Sequence, residues 1–128
     1  MIYLDSSVAL ADLLSEDRRS RPDLWNQNLT SSRLLEYEVW NRLHARGLGH
    51  SHVGEATQLF DKVSLIELSP AVLSRALKPL PVPVRTLDGL HLATIEYLRG
   101  EGEAVELATF DMRMTAAARA LGIFIYAL

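Results

Sequence analysis

Short apolar runs alternate along this chain with longer stretches of helical periodicity, and few folds accept that pattern. The runs are Met1–Leu4, Val63–Leu68 (broken by Ser64 and Glu67), Val105–Phe110 and Ile123–Leu128. Each has the length of a strand. Helical spacing fills the intervals Ser7–Leu14, Arg33–Ala45, Val53–Lys62, Ala71–Leu77, Leu87–Arg99 and Met112–Leu121. Strand and helix in alternation predict an α/β fold with a mainly parallel sheet. Glycines mark the helix ends: Gly47-Leu48-Gly49 closes one, Gly100 and Gly102 another, and Gly122 the last. Pro79-Leu80-Pro81-Val82-Pro83 separates two helices and reads as an extended connection or an edge segment.

With 128 residues and no repeat, low-complexity tract or linker, one domain spanning 1–128 is expected. A chain of this size buries roughly two-thirds of its unfolded surface, so it needs neither disulfides nor a structural zinc, and it has no Cys. No apolar run approaches the ~20 residues of a membrane-spanning helix. Asp5 interrupts the first run and no basic residue precedes it, so no signal peptide is expected and the protein is read as cytoplasmic. Its net charge of −3, from 13 basic and 16 acidic side chains, argues against nucleic-acid binding through bulk charge.

The acids fall in a pattern. Asp5 follows Ile2-Tyr3-Leu4, at the carboxyl end of the first predicted strand, and Ser6 and Ser7 then open a helix. Asp111 follows Leu107-Ala108-Thr109-Phe110 in the same way, and Asp88 stands two residues after Thr86 as Asp111 does after Thr109. The carboxyl edge of an open α/β sheet is where ligands bind. Each of these acids could equally serve as a helix cap, a role worth about 0.5–2 kcal/mol. Three of them at one kind of junction are harder to assign to capping alone, because the sheet brings those junctions together.

A fourth acid sits inside a helix. Leu35, Val39 and Leu43 form an inward stripe, with Glu38 at its margin and Glu36 turned outward. A carboxylate at the edge of an apolar face is costly unless paired, so either Arg42 at i+4 or a metal must neutralise Glu38. Four carboxylates in one pocket repel one another unless a cation is present. Removing one charge, as in Asp5→Asn, is therefore expected to stabilise the metal-free protein. Hard oxygen donors select Mg²⁺, with Mn²⁺ as a substitute, and phosphodiester hydrolysis is the chemistry such a site suits. Setting the four acids aside leaves 13 basic against 12 acidic side chains, a surface a polyanion can approach.

In four blocks the chain resembles the PIN-domain ribonucleases, and within them the VapC-type toxins of toxin–antitoxin pairs. The blocks are Ile2-Tyr3-Leu4-Asp5-Ser6-Ser7, Ser31-Ser32 through Glu38, Arg85-Thr86-Leu87-Asp88-Gly89-Leu90-His91-Leu92-Ala93-Thr94, and Thr109-Phe110-Asp111 with Arg113-Met114, Ala116-Ala117 and Gly122. The resemblance covers nearly the whole chain and implies a three-layer α/β/α PIN-like domain. It places the family's acidic quartet on Asp5, Glu38, Asp88 and Asp111, as catalytic and metal-binding residues. Ser7 and Thr109 fall where hydroxyls orient the acids or the attacking water. The resemblance further implies a Mg²⁺-dependent endoribonuclease acting on structured RNA, tRNA above all, a homodimer, and a cognate VapB-type antitoxin that covers the site. Gly89 replaces the usual Ala and Asn41 a frequent basic residue; neither removes a ligand.

The remaining motifs carry less. His50-Ser51-His52, with His44 nearby, reads as a solvated loop rather than a metal site, and His91 as a residue that packs or hydrogen-bonds behind the acids. Arg18, Arg19 and Arg21 form a charged loop before Pro22. Two other functions fit parts of the pattern. A phospho-accepting signalling domain would need paired acids near the first strand and a late Lys, yet Asp5 stands alone and no Lys follows Lys78. A PIN-like RNA-binding module without catalysis is less consistent with an intact quartet.

Overall fold

The computed structural model describes all 128 residues. In chain order the elements are β1 (Ile2–Leu4), α1 (Ser6–Leu13), a 3₁₀ turn (Pro22–Asn26), β2 (Leu29–Ser32), α2 (Leu34–Ala45), α3 (Val53–Asp61), β3 (Val63–Ile66), α4 (Pro70–Ala76), α5 (Thr86–Gly100), β4 (Glu106–Ala108), α6 (Met112–Ala120) and β5 (Phe124–Ile125). The five strands form one sheet in the order β3-β2-β1-β4-β5, and every neighbouring pair is parallel. The alternation in the sequence thus yields the expected α/β architecture.

Period-two alternation in β1 divides the interior between two faces. Ile2 and Leu4 pack with Val8, Leu10 and Leu13 of α1, Leu35, Val39 and Leu43 of α2, and Leu59 of α3. Tyr3 points the other way, into Leu92, Ile95 and Leu98 of α5 and Met114, Ala117 and Ala118 of α6. Helices thus cover both faces and make three layers. The α2 stripe is fully buried, as its spacing predicts. Gly47 and Gly122 sit at φ +69 and +75 just past the ends of α2 and α6, a left-handed turn that glycine adopts without strain.

One expectation needs correction, and one alternative is settled. Leu29–Ser32 is a strand the apolar pattern does not show, paired with both β1 and β3. Its side chains are buried although three of the four are hydroxyls, because each is satisfied: Thr30 Oγ1 donates to the Ser64 carbonyl (3.0 Å), Ser31 Oγ to that of Leu4 (2.7 Å), and Ser32 Oγ accepts the Leu34 N–H (3.0 Å). The proline stretch is a connection between α4 and α5; the sheet edges are β3 and β5. The strands that were expected are also shorter than their apolar runs, as at Phe124–Ile125 within Ile123–Leu128.

The strand order fixes where a ligand belongs. From β1 the chain steps outward through β2 to β3, then returns to lay β4 on the other side of β1. The crevice beyond the carboxyl ends of β1 and β4 is the point where the winding reverses.

Candidate active site

Asp5 leaves β1 at that crevice. It is only 4% exposed, and its Oδ2 accepts two hydroxyl protons, from Ser7 Oγ at 2.6 Å and Thr109 Oγ1 at 2.8 Å. Both hydroxyls are themselves held. Ser7 Oγ accepts the Phe110 N–H (3.0 Å) and Thr109 Oγ1 the Asp111 N–H (2.9 Å), so the turn after β4 is stitched to the start of α1. Asp5 occupies the N-cap position of α1 yet makes no side-chain capping bond. Its carboxylate is spent on the site rather than on the helix.

Glu38 reaches the same region from α2. Ser6 Oγ donates to its Oε2 at 3.0 Å, and His91 Nε2 contacts its Oε1. The partner of Glu38 is therefore His91, not Arg42, which lines the cleft at the solvent side. Glu36 points outward and pairs with Arg33. His91 is fully buried behind the acids, where the sequence reading put it, and its other ring nitrogen meets the Tyr3 hydroxyl.

Asp88 and Asp111 form the opposite side. Asp111 does cap α6, its Oδ1 accepting the N–H groups of Arg113 (2.8 Å) and Met114 (3.4 Å). Its Oδ2 stays clear of the cap and lies 3.9 Å from an Arg85 nitrogen. Asp88, in the first turn of α5, caps nothing and accepts no hydrogen bond; Arg85 Nε stands 3.7 Å from its Oδ2. Its pKa is raised, first by burial, then by the charges of Asp111 and Asp5, with Arg85 and His91 opposing. The capping alternative thus holds for Asp111 alone, and for one of its two oxygens.

All four acids line one cleft of about 760 Å³, with Ser6, Ser7 and Arg85 among its other walls. No three of them stand close enough to form a ready-made cage. That spacing does not suit an ion that needs a complete protein shell, but it suits Mg²⁺, which keeps several waters and takes one or two carboxylates. With no Cys in the chain and both nitrogens of His91 engaged, the donors the cleft offers a metal are carboxylate oxygens. Ser6, Tyr3 and Arg85 are polar neighbours the sequence reading did not single out. Arg18 of the charged loop folds over the Phe110 ring, 5.1 Å from its centroid, beside Asp111. The other histidines stay apart: His44 stacks on Trp40, and His52 bonds to Ser51 in a turn. At Gly89 a Cβ would meet Val84 at 3.4 Å, ordinary contact, so the glycine is not required there.

A recessed group of carboxylates at the reversal point of a parallel sheet makes this an α/β domain with an acid-lined site. Comparison with known proteins supplies the family. Residues 2–120 match the PIN domain. Across 98% of its length the chain is 35% identical to Ribonuclease VapC46 of Mycobacterium tuberculosis (strain ATCC 25618 / H37Rv), covering 96% of that protein. It is 27% identical to Ribonuclease VapC47 of Mycobacterium tuberculosis (strain CDC 1551 / Oshkosh) over 95% of the chain and 93% of the relative. The chain belongs to the PIN-domain family, in its VapC-type branch. That membership sets aside the signalling-domain alternative. No helix is long and apolar enough to cross a membrane.

Proposed function

We propose that this chain is an endoribonuclease dependent on a divalent cation, Mg²⁺ with Mn²⁺ as substitute, and the toxin half of a VapBC-type pair. The observation that carries the proposal is the convergence of Asp5, Glu38, Asp88 and Asp111, from four separate elements, on one cleft at the β1/β4 crevice. On this reading all four are catalytic and would serve the cation's site, one or two of them directly and the others through its waters. The cation's role is to neutralise charge building on the phosphodiester and to make a nearby water more acidic. Ser7 and Thr109 hold Asp5 in one rotamer by converging on a single oxygen. Arg85, exposed at the rim, offers a planar fork to a phosphate oxygen.

The substrate is structured RNA, with tRNA as its leading class. The acids are recessed, and an unpaired loop can bring its phosphate to them more readily than a stacked duplex. The partner is a VapB-type antitoxin, the protein acts as a homodimer in the cytoplasm, and residues 1–128 form one domain. These assignments follow the family resemblance.

The test uses purified protein freed of antitoxin, total cellular RNA and Mg²⁺, with new RNA ends mapped against Asp88→Asn. Ends confined to one or a few loops, absent with Asp88→Asn, are the expected result. Equal degradation in both samples, or none with either metal, turns the reading toward an RNA-binding module without catalysis.

A further inference from the structure

Behind the acids runs a buried polar chain that the hydrolytic reading leaves unused. Tyr3 on β1 and His91 on α5 are both fully buried. The Tyr3 hydroxyl lies 2.6 Å from His91 Nδ1, and His91 Nε2 contacts Glu38 Oε1. Groups buried this deeply must be satisfied, and one arrangement of protons serves every pair along the chain. The Tyr3 oxygen accepts the Ser32 N–H at 3.1 Å. The nearby hydroxyls of Ser31 and Thr94 give their protons to the Leu4 and Leu90 carbonyls, at 2.7 and 2.8 Å. Burial holds the Tyr3 phenol far above its ordinary pKa, so it keeps its proton, and Nδ1 lies 2.6 Å away to accept it as a hydrogen bond. An ionised carboxylate only accepts, so Nε2 must be the donor toward Glu38. A ring with its proton on Nε2 can accept from Tyr3 at Nδ1 and donate to Glu38.

We propose that His91 is a positioning residue for Glu38, and that Tyr3 selects the imidazole tautomer that does the positioning. This rests on Glu38 belonging to the active site. Ser6 on Oε2 and His91 on Oε1 occupy two of the roughly four lone-pair positions of the carboxylate, which fixes its rotation and leaves the other two for the cleft. The chain also crosses layers. Tyr3 and the helix bearing His91 belong to one side of the sheet, while α2, which bears Glu38, packs on the other. Groups that orient a metal-binding side chain from behind typically contribute 10–100-fold to affinity or activity.

Long-range ¹H–¹⁵N spectra of the metal-free protein at neutral pH read the ring directly. Wild type is expected to carry its proton on Nε2 alone, and Tyr3→Phe, which removes only the hydroxyl, to show a mixture of tautomers. Calorimetric titration with Mn²⁺ reads the consequence. His91→Leu should bind Mn²⁺ about 10–100-fold more weakly. His91→Gln, whose amide can still donate to Glu38, should recover at least half of that loss on a logarithmic scale. For RNA cleavage kcat should fall in His91→Leu with KM little changed. A wild-type ring protonated on Nδ1, or unchanged Mn²⁺ affinity in a folded His91→Leu, overturns the proposal. If His91→Leu does not fold, Tyr3→Phe carries the same two measurements, with a weakening of a few-fold expected and none overturning it. Asp88→Asn separates the levels. Lost Mn²⁺ binding there, with His91→Leu unaffected, overturns the positioning role alone; unchanged binding in both overturns the reading of the cleft as well.

Discussion

The two walls of the cleft hold their acids by opposite means. On the inner wall Asp5 is nearly inaccessible and Glu38 mostly covered, yet each accepts two hydrogen bonds: Asp5 from Ser7 and Thr109, Glu38 from Ser6 and His91. On the outer lip Asp88 is more open, receives no hydrogen bond, and has only an Arg85 side chain that is 68% exposed for company. Burial and the charges of Asp111 and Asp5 raise the pKa of Asp88. What a buried carboxylate costs depends on its donors as well as its depth. Donors aimed at the charge offset burial on the inner wall, whereas the lip depends on an exposed guanidinium that solvent largely screens. A cation arriving at the cleft has most to offer the lip.

The largest effect expected concerns catalysis, where the walls should be equally indispensable. Glu38→Gln on the inner wall and Asp88→Asn on the lip should each lower kcat/KM for RNA about 10³-fold. That corresponds to roughly 4 kcal/mol of lost charge stabilisation. Glu36→Gln, whose carboxylate pairs with Arg33 on the outer surface, should stay within about twofold of wild type. A cleavage assay in which Glu36 matters more than Glu38 would break the assignment of the inner wall.

That ranking was legible in the sequence, because a stripe at Leu35, Val39 and Leu43 leaves Glu38 at the margin of the core and Glu36 outside it. The junction acids were legible too, as residues that end a strand and open a helix. What separated capping from chemistry was not. Asp88 and Asp111 share the Thr-x-Asp pattern, but only Thr109 meets Asp5, because β4 lies beside β1 and α5 starts from no strand end. Strand β2 escaped because its buried faces are hydroxyls, whose burial depends on carbonyl partners from other strands that no local pattern reveals. Arg42 looked like the partner of Glu38 at i+4. The actual partner, His91, lies 53 residues away, and only the tertiary fold brings it there.

Stability should divide the walls where activity does not. Saturating Mg²⁺ or Mn²⁺, at about 100 times its Kd, should stabilise wild type by about 2.7 kcal/mol, which for a chain this size is roughly 10 °C in Tm. In the metal-free protein the two acids should respond with opposite signs. Asp88→Asn should raise Tm by a few degrees at pH 7, since it removes a charge that burial and two like charges disfavour. Asp5→Asn should lower Tm by a similar amount, since a neutral amide oxygen is a poorer acceptor for the two hydroxyls that converge on it. Asp5 is itself one of the charges that raise the Asp88 pKa, so Asp5→Asn also relieves some repulsion, and the loss of its two hydroxyl donors has to outweigh that relief. The pH dependence follows from the direction of the shift. Because the folded-state pKa of Asp88 is raised, its contribution is unpenalised below the ordinary value near 3.8, and stability is lost as pH rises through the folded pKa. The advantage of Asp88→Asn should accordingly vanish below about pH 4. Thermal melts across pH check this, and a parallel rise in both variants would erase the distinction between the walls.

The smallest expected effect sharpens the comparison at Arg85, the cation that sets the lip apart. At 3.7 and 3.9 Å from two carboxylates, and mostly solvated, its guanidinium contributes under about 1 kcal/mol to the fold, so Arg85→Gln should shift Tm by no more than about 2–3 °C. Its consequence should appear with RNA instead. Once a divalent cation neutralises Asp88 and Asp111, the guanidinium is free to fork onto a phosphate. Losing one such contact lowers the slope of log K against log salt by about 0.7 for unpaired RNA. The measurement is fluorescence anisotropy of a labelled loop RNA over a salt series with Mg²⁺, in a Glu38→Gln background that stops cleavage and leaves the lip intact. A shallower slope, with binding a few-fold weaker at low salt, identifies Arg85 as a phosphate contact. A slope unchanged by Arg85→Gln, with or without weaker binding, would instead confine Arg85 to steadying the two lip acids.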